Sequence, residues 1–313
     1  MTNMEMLKEF MNINWLRPQF ALFRAIECAV SYAFEFESPS LDLGCGDGLF
    51  SFIRAGGSFN STFDTFLDND YELFEHFDAN SFKHAIRCEP EYMFDVALDL
   101  GSRRLNCAKS LGFYKDVVHH DANAKLPFED GSFNSMYSNA IHHLAEPQVV
   151  LHEVARVLNT GGKACLRFLD RSLGESLIYN RLYASTKNEK WAWLKYLPRN
   201  KLIDMDITID GVPAYAHMYS NQEMAEMFND VGLKIVEHRK FLSKSLVGMW
   251  EIGTNPIFSA LLKMQGKLSS EDRLEVKKEW IDRCMDFALP LMEIELSRNS
   301  DDCVFHNYVV CRK

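Results

Sequence analysis

The sequence predicts an α/β fold, with a seven-stranded, mostly parallel sheet that carries helices on both faces. Strand-like apolar stretches alternate with helix-patterned stretches from residue 40 onward, and such alternation is typical of parallel sheets. A glycine-rich turn follows the first strand-like stretch and leads into a helix. The chain has 313 residues, enough for one large domain with insertions or two small ones.

Residues 1–37 are predicted to form an N-terminal helical lid. Pro18 suits the first turn of a helix. Apolar residues then recur at helical spacing, at Leu22, Phe23, Ile26, Ala29, Val30 and Ala33. Two compatible interpretations stay open: a helix packed on the main domain, and a lid over a substrate pocket.

The core of the fold is predicted over residues 38–169, with an insertion at 56–92. Five strands are predicted in it, at 40–44, 94–99, 116–120, 133–138 and 163–169. The helices between them are predicted at 47–55, at 102–111 and from Pro147 to Leu158. The insertion is rich in phenylalanine and has weak periodicity, so we expect a loop or short helices there.

The remaining chain is predicted to supply two more strands and two helical caps. The segments are a cap insertion at 170–217, a core continuation at 218–240, a helical cap at 241–298 and a final core strand within 299–313. The core continuation begins with the capping box that runs from Ser220 to Glu223, and its strand is expected at 233–237.

Composition argues against several classes of protein. The net charge of −10 argues against binding to duplex nucleic acid, which needs a basic surface. No apolar run approaches the roughly 18 residues of a membrane span, and we expect no signal peptide because the first residues lack its apolar h-region. The eight cysteines include no Cys-x-x-Cys pair, so we expect buried thiols in a cytoplasmic protein and no metal site.

The turn from Asp42 to Gly48 has the pattern Asp-x-Gly-x-Gly-x-Gly. Its glycines allow the backbone to approach a ligand closely, and the helix that follows directs N–H groups toward it. The spacing differs from the Gly-x-Gly-x-x-Gly of dinucleotide-binding folds. The turn resembles motif I of the class I S-adenosylmethionine (SAM) dependent methyltransferases.

Three downstream segments extend that resemblance, in the same order as in the family. They are Asp121-Ala122 with Leu126 to Phe133, then Ser138 to Leu144, and Arg156 to Lys163. They are similar to the ubiquinone/menaquinone-methyltransferase-like, small-molecule branch of the superfamily. The resemblance covers residues 40–170 and implies a Rossmann-like core that uses SAM and releases S-adenosylhomocysteine (SAH).

A cofactor site is predicted where these segments meet. Asp99 ends the second core strand beside the glycine turn, where a carboxylate can accept both ribose hydroxyls. By spacing alone Asp64, Asp68 or Asp70 could take that role, but Asp99 leads into a proper helix. The resemblance assigns the adenine amino group to Asp121. The expected cofactor-binding residues are Asp42, Gly44, Cys45, Gly46, Gly48, Asp99, Leu100, Asp121, Ala122 and Asn139.

Four residues are candidates for acid–base catalysis: His142, His143, His217 and Tyr219. The two adjacent histidines follow the fourth core strand, near the expected position of the methyl group, where one of them could deprotonate an acceptor. The alternative is that they only pack or bond to the backbone. A SAM-dependent reaction needs neither a metal nor a covalent nucleophile.

The predicted function is therefore methyl transfer to a small-molecule acceptor, with the O, N or C identity of the accepting atom open. Aromatic residues in the caps favour an aromatic or lipophilic acceptor, although they could equally cover the fold: Trp191, Trp193, Tyr196 and Trp250. Arg167, Arg171 and Arg181 could meet an anionic group. The alternatives are a non-catalytic SAM-binding protein and a nicotinamide-dependent oxidoreductase. The oligomeric state is not predicted.

Overall fold

The computed structural model describes residues 1–66, 84–187, 208–209, 212–213, 217–254 and 257–313. Five residues singled out above lie outside these ranges: Asp68, Asp70, Trp191, Trp193 and Tyr196. None of the described helices combines the length and the apolar composition that crossing a bilayer requires.

The described strands include the seven that were predicted and five short ones that were not, two of which, β2 and β3, pair within the insertion predicted as a loop or short helices. They are β1 (Ser40–Leu43), β2 (Ser58–Phe59), β3 (Ile86–Cys88), β4 (Phe94–Asp99), β5 (Tyr114–His119), β6 (Phe133–Ser138), β7 (Leu158–Asp170), β8 (Thr208–Ile209), β9 (Val212–Pro213), β10 (Met218–Tyr219), β11 (Lys234–Ser243) and β12 (Cys303–Arg312).

The α-helices of the described ranges lie between these strands and at the N-terminus. They are α1 (Asn3–Ile13), α2 (Pro18–Ser31), α3 (Leu49–Arg54), α4 (Ser102–Ser110), α5 (Pro147–Val157), α6 (Leu173–Ser176), α7 (Ile178–Thr186), α8 (Asn221–Asp230), α9 (Lys244–Ile252), α10 (Phe258–Gln265) and α11 (Ser270–Leu296). Short 3₁₀ turns occupy Ile141–His143 and Ser300–Asp302.

The central sheet confirms the predicted mostly parallel architecture. Its strands lie in the order β11-β12-β7-β6-β1-β4-β5, with β12 antiparallel to both of its neighbours. Within the described ranges the sheet has eight strands rather than seven, because β10 pairs in parallel with the end of β7. Strand β1 lies between β4 and β6, so the carboxyl ends of these parallel strands meet at one edge.

Each face of the sheet buries its own apolar cluster, since side chains alternate along a strand. Tyr137 of β6 joins the cluster formed with α1, α2, α3 and α11, whereas Met136 joins the cluster formed with α5 and α8. This alternation follows directly from the sequence, in which the buried strands carry apolar side chains in both directions.

The N-terminal helices are packed into the body of the protein. Helix α1 begins with a capping box between Thr2 and Glu5, and α2 begins with Pro18 in its first turn. Most of α2 is buried, including Leu22 and Ile26 of the predicted apolar stripe. The interpretation as a helix packed on the main domain therefore applies to α2. In this packed position the polar residues of α2 lie near the edge where β1 and β6 end.

Candidate cofactor and active site

The glycine turn adopts a backbone that L side chains rarely adopt. Gly44, Gly46 and Gly48 have φ values of +74°, +59° and +77°. The backbone N–H groups of Gly44 and Cys45 both donate to the carbonyl of Leu98, at 2.7 and 3.1 Å. A Cβ atom at Gly44 would lie 2.8 Å from the Cβ of Ala140. The turn is thus tied to β4 on one side and pressed against the segment after β6 on the other.

Asp42 lies beneath this turn, not on its surface. Its carboxylate accepts a hydrogen bond from Tyr114 Oη at 2.8 Å, and the residue is 2% exposed. A Cβ atom at Gly48 would lie 2.9 Å from the same tyrosine ring, so Gly48 permits this close packing. Burial raises the pKa of Asp42 to about 6. The predicted contact between Asp42 and the cofactor stays a prediction, because in this structure the carboxylate supports the turn from below.

Asp99 lies at the end of β4 beside the turn. Its carboxylate accepts from the backbone N–H of Gly46 at 2.9 Å and of Gly101 at 2.8 Å, and from Arg104 Nη2 at 3.2 Å. A carboxylate has about four acceptor sites, so these three contacts leave room for a further donor. The carbonyl of Leu100 lies 2.7 Å from His119 Nε2 on β5.

The alternative acid Asp64 belongs to a different part of the fold. Trp15 Nε1 donates to one of its oxygens at 3.0 Å and Arg273 Nε donates to the other at 2.9 Å, so Asp64 connects the N-terminal helices to α11. Asp64 therefore contacts the N-terminal helices and α11 and does not end a strand of the central sheet, whereas Asp99 does. Spacing suggested Asp64 only because the insertion lengthens the path from the turn to Asp99.

Asp121 follows β5, the strand next to the one that ends at Asp99. Asp99 is paired with His119 in the parallel register of β4 and β5, and Asp121 follows two residues later at the same edge. One oxygen of its carboxylate accepts from the backbone N–H and the side-chain amide of Asn123, at 2.9 and 2.8 Å. Asp121 is half-buried and Ala122 is buried. The sheet therefore brings the two predicted carboxylates to neighbouring strand ends.

A buried charged cluster lies on the other side of the turn. Arg167 Nη2 of β7 donates to the carbonyl of Asn139 at 2.6 Å, and Arg167 Nη1 forms an ion pair with Glu27 of α2 at 2.7 Å. Glu27 also pairs with Arg24 at 2.9 Å. Neither Glu27 nor Arg24 was predicted from the sequence. The sequence feature that could have identified them is a pair of opposite charges three residues apart within an otherwise apolar helix.

The structure brings the four acid–base candidates together. The ring centroids of His142 and His143 are 3.9 Å apart, and those of His217 and Tyr219 are 6.3 Å apart. The backbone N–H of His217 donates to the carbonyl of His142 at 2.9 Å, which joins the two pairs.

The candidates differ in what they can do chemically. His142 is 1% exposed and its Nε2 lies 3.4 Å from Arg167 Nη2, which leaves it poorly placed to take up a proton. Burial lowers the pKa of His217, so its imidazole is neutral near pH 7 and can accept a proton. Burial raises the pKa of Tyr219 to about 12, so its hydroxyl stays a donor.

Two residues that were predicted to contact an acceptor, Arg171 and Trp250, contact other side chains of the protein. Arg171 pairs with Glu223 at 2.6 Å on the surface, and Arg181 is exposed. Trp250 packs against Phe23 and Phe305, with centroid distances of 5.8 and 5.5 Å. Over the described ranges, no group of three or more His, Cys, Asp or Glu residues is arranged to hold a metal ion.

Comparison with protein families places a known domain on this site. Residues 73–166 match the family described as "Methyltransferase domain". The match begins after the glycine turn and ends within β7, so it includes Asp99, Asp121 and Asn139. A comparison with curated proteins gave no significant match.

Several solved structures have a similar fold, and three of them align with most of this chain. The [4+2]-cyclase SpnF is 14% identical with a TM-score of 0.46, and the alignment covers 95% of this chain and 82% of the cyclase. A SAM-dependent methyltransferase from Mesorhizobium loti is 15% identical with a TM-score of 0.45, covering 93% and 100%. A SAM-dependent methyltransferase from Methanosarcina mazei is 13% identical with a TM-score of 0.43, covering 91% and 96%.

Proposed function

We propose that this chain, which carries a methyltransferase domain, belongs to the class I SAM-dependent superfamily, uses SAM as its cofactor and methylates a small-molecule acceptor. The observation that carries the proposal is the convergence of Gly46, Asp99 and Asp121 at one edge of the sheet, with Asn139 across the turn. Transfer to oxygen, nitrogen or carbon is compatible with this arrangement.

The residues of the crevice fit SAM. Gly44 allows the turn to keep a positive φ while packed against Ala140, whose Cβ would lie 2.8 Å from a Cβ at this position. Asp99 has the charge and the acceptor capacity to bind ribose hydroxyls, and Asp121 has those needed for an adenine amino group. Glu27 adds a buried carboxylate oxygen, Oε1, that has no hydrogen-bond partner within the described ranges.

Bound SAM supplies a methyl carbon already activated by a sulfonium, which an acceptor attacks in line with the carbon–sulfur bond. The protein's task is then to orient the acceptor and exclude water, and orientation alone can contribute effective molarities of up to about 10⁸ M. Helix α2 is buried over the edge of the sheet and serves to exclude water.

An acceptor that must lose a proton requires a base. Among the four candidates, His217 has the most suitable properties, because burial lowers its pKa and keeps the imidazole neutral. Tyr219 of β10 is a hydrogen-bond donor near it. These roles are proposals that rest on the proximity of the two rings and on their protonation states.

The acceptor is proposed to be apolar or aromatic in part. The caps follow β7 and β11, whose carboxyl ends lie at the same edge as the crevice, and ligands of open α/β sheets bind there. Trp250 contributes little to such a site directly, since its ring is packed between Phe23 and Phe305.

The proposal is tested by incubating the protein with SAM and a panel of small alcohols, amines, phenols and activated carbon acids, and measuring SAH by mass spectrometry. Acceptor-dependent SAH formation that is lost in Gly44→Ala supports methyl transfer. Tight SAH binding with no product from any acceptor favours the non-catalytic alternative. Binding of NADH in place of SAH favours the oxidoreductase.

A further inference from the structure

Glu27 has an unusual distribution of partners. Arg24 Nη1 and Arg167 Nη1 both bind the same carboxylate oxygen, Oε2, at 2.9 and 2.7 Å. The other oxygen, Oε1, has no hydrogen-bond partner within the described residues, although the side chain is only 3% exposed. Two cations are thus concentrated on one oxygen while its neighbour is left without a donor.

A buried carboxylate oxygen without a donor is costly, because folding removes its water without replacing the hydrogen bonds. The great majority of buried polar atoms have a partner, so an exception calls for a physical explanation. The simplest explanation is a ligand that brings its own donor. That ligand has to carry an N–H or O–H group and is favoured if it is cationic.

The location of Glu27 narrows the choice of ligand. Arg167 also holds the carbonyl of Asn139, and Ala140, the next residue, lies against Gly44. Arg24 lies over the Phe50 ring at 4.7 Å, at the start of the helix that follows the turn. The cluster is therefore at the β6 and β7 side of the glycine turn.

The two acids expected to bind adenosine lie on the opposite side. Asp99 ends β4 and Asp121 follows β5, whereas β1 with its glycine turn lies between β4 and β6. A ligand whose adenosine lies at β4 and β5 and that extends across the turn brings its other end to β6 and β7. In SAM that other end is an amino acid, with an ammonium group and a carboxylate on one carbon.

We propose that Glu27 binds the α-ammonium group of the cofactor and that Arg24, three residues earlier on α2, binds its α-carboxylate. A carboxylate beside an arginine is complementary to a zwitterion, which a simple amine or alcohol acceptor would not match. The inference rests on the proposed function, because it takes SAM as the ligand. It gives α2 a direct part in cofactor binding.

The test compares two probes by isothermal titration calorimetry: SAH, and 5′-methylthioadenosine, which keeps the adenosine and the sulfur but lacks the amino acid. Glu27→Gln keeps the shape of the side chain and removes its charge. We expect SAH binding to weaken roughly tenfold to a hundredfold, the loss of one charge-assisted hydrogen bond. Binding of 5′-methylthioadenosine should change by less than about twofold. Arg24→Gln should show the same selectivity.

Asp64→Asn is the matched control, because Asp64 is also a buried carboxylate paired with an arginine, Arg273, at 2.9 Å. It should change the affinity for neither probe. Unchanged SAH affinity in Glu27→Gln would overturn the proposal, and so would equal weakening of both probes, which would mean that Glu27 only maintains the shape of the crevice. Failure of the unaltered protein to bind 5′-methylthioadenosine or SAH would instead refute the adenosine site and the proposed function with it.

Discussion

The buried carboxyl group of Asp42 should make stability depend on pH in a predictable direction. Burial raises its pKa in the folded protein to about 6, from an ordinary value of 3.8. A difference of about 2 pKa units corresponds to roughly 3 kcal/mol, at 1.36 kcal/mol per unit. The folded state therefore holds this proton more tightly than the unfolded chain does.

The sign follows from that difference. Below about pH 3 the group is protonated in both states and has no effect on stability. Between about pH 4 and 6 the unfolded chain loses the proton first, so the free energy of unfolding falls as the pH rises. Asp42→Asn cannot ionise, and its amide oxygen can still accept from Tyr114 Oη. Relative to the unaltered protein, the variant should gain about 2 kcal/mol between pH 4.5 and 7.5, because about 1 kcal/mol of the effect is already present at pH 4.5.

Urea unfolding at these two pH values measures the effect. Asp95→Asn is a control of opposite sign. Although partial burial of Asp95 acts to raise its pKa, hydrogen bonds from Lys115 and Ser40 lower that pKa to about 2. This second variant should therefore lose stability at pH 7.5. An equal stability difference between Asp42→Asn and the unaltered protein at both pH values would refute the reasoning.

The same Asp42→Asn variant reports on the cofactor. We expect the SAH affinity of this variant to stay within about threefold of that of the unaltered protein. The Asp42 carboxylate is buried and faces Tyr114 beneath the turn, so the substitution should remove no hydrogen bond to the ligand. A loss of tenfold or more would instead support the direct contact that the sequence pattern predicts.

Further predictions concern the crevice and the candidate bases. Asp99→Asn should weaken SAH binding by about 1.5–3 kcal/mol for each charge-assisted hydrogen bond lost, measured by calorimetry; unchanged affinity would move the ribose role elsewhere. Gly44→Ala should abolish SAH binding, because the new Cβ would lie 2.8 Å from a neighbouring side chain. Gly112→Ala is the control, since Gly112 also has a positive φ, +63°, but has open space around it. This control should lose only about 1 kcal/mol of stability and keep its affinity for SAH. His217→Ala should lower kcat by about 10²-fold or more with SAH affinity unchanged, while His143→Ala should affect neither; the reverse pattern would make His143 the base.

The sequence can predict those parts of the candidate site that chain order and strand direction determine. Each predicted cofactor residue lies near the carboxyl end of a strand or follows it, and parallel strands end at one edge, so Asp99 and Asp121 had to become neighbours once β4 and β5 paired. The choice of Asp99 over Asp64 stays a prediction with the same basis, because Asp99 ends a strand and Asp64 does not.

Contacts between distant elements carry no such pattern. Nothing periodic links Glu27 to Arg167, since their pairing depends on how α2 lies across the sheet. Strand β10 was missed because two residues are too few to show an alternation, and its pairing with β7 depends on where the preceding insertion returns to the core. Packing of the chain, and not local propensity, determines both features.

The order of the strands also separates cofactor recognition from acceptor recognition. The residues expected to hold adenosine lie at β4 and β5, whereas the helices α6, α7 and α9 follow β7 and β11, which run in the same direction on the other half of the sheet. We therefore expect an acceptor to reach the methyl group from the β6 and β7 side, beneath α2 and the caps. Substitutions in α6, α7 and α9 should alter which acceptor is used while leaving SAH affinity unchanged, whereas Glu27→Gln and Arg24→Gln in α2 should weaken SAH binding.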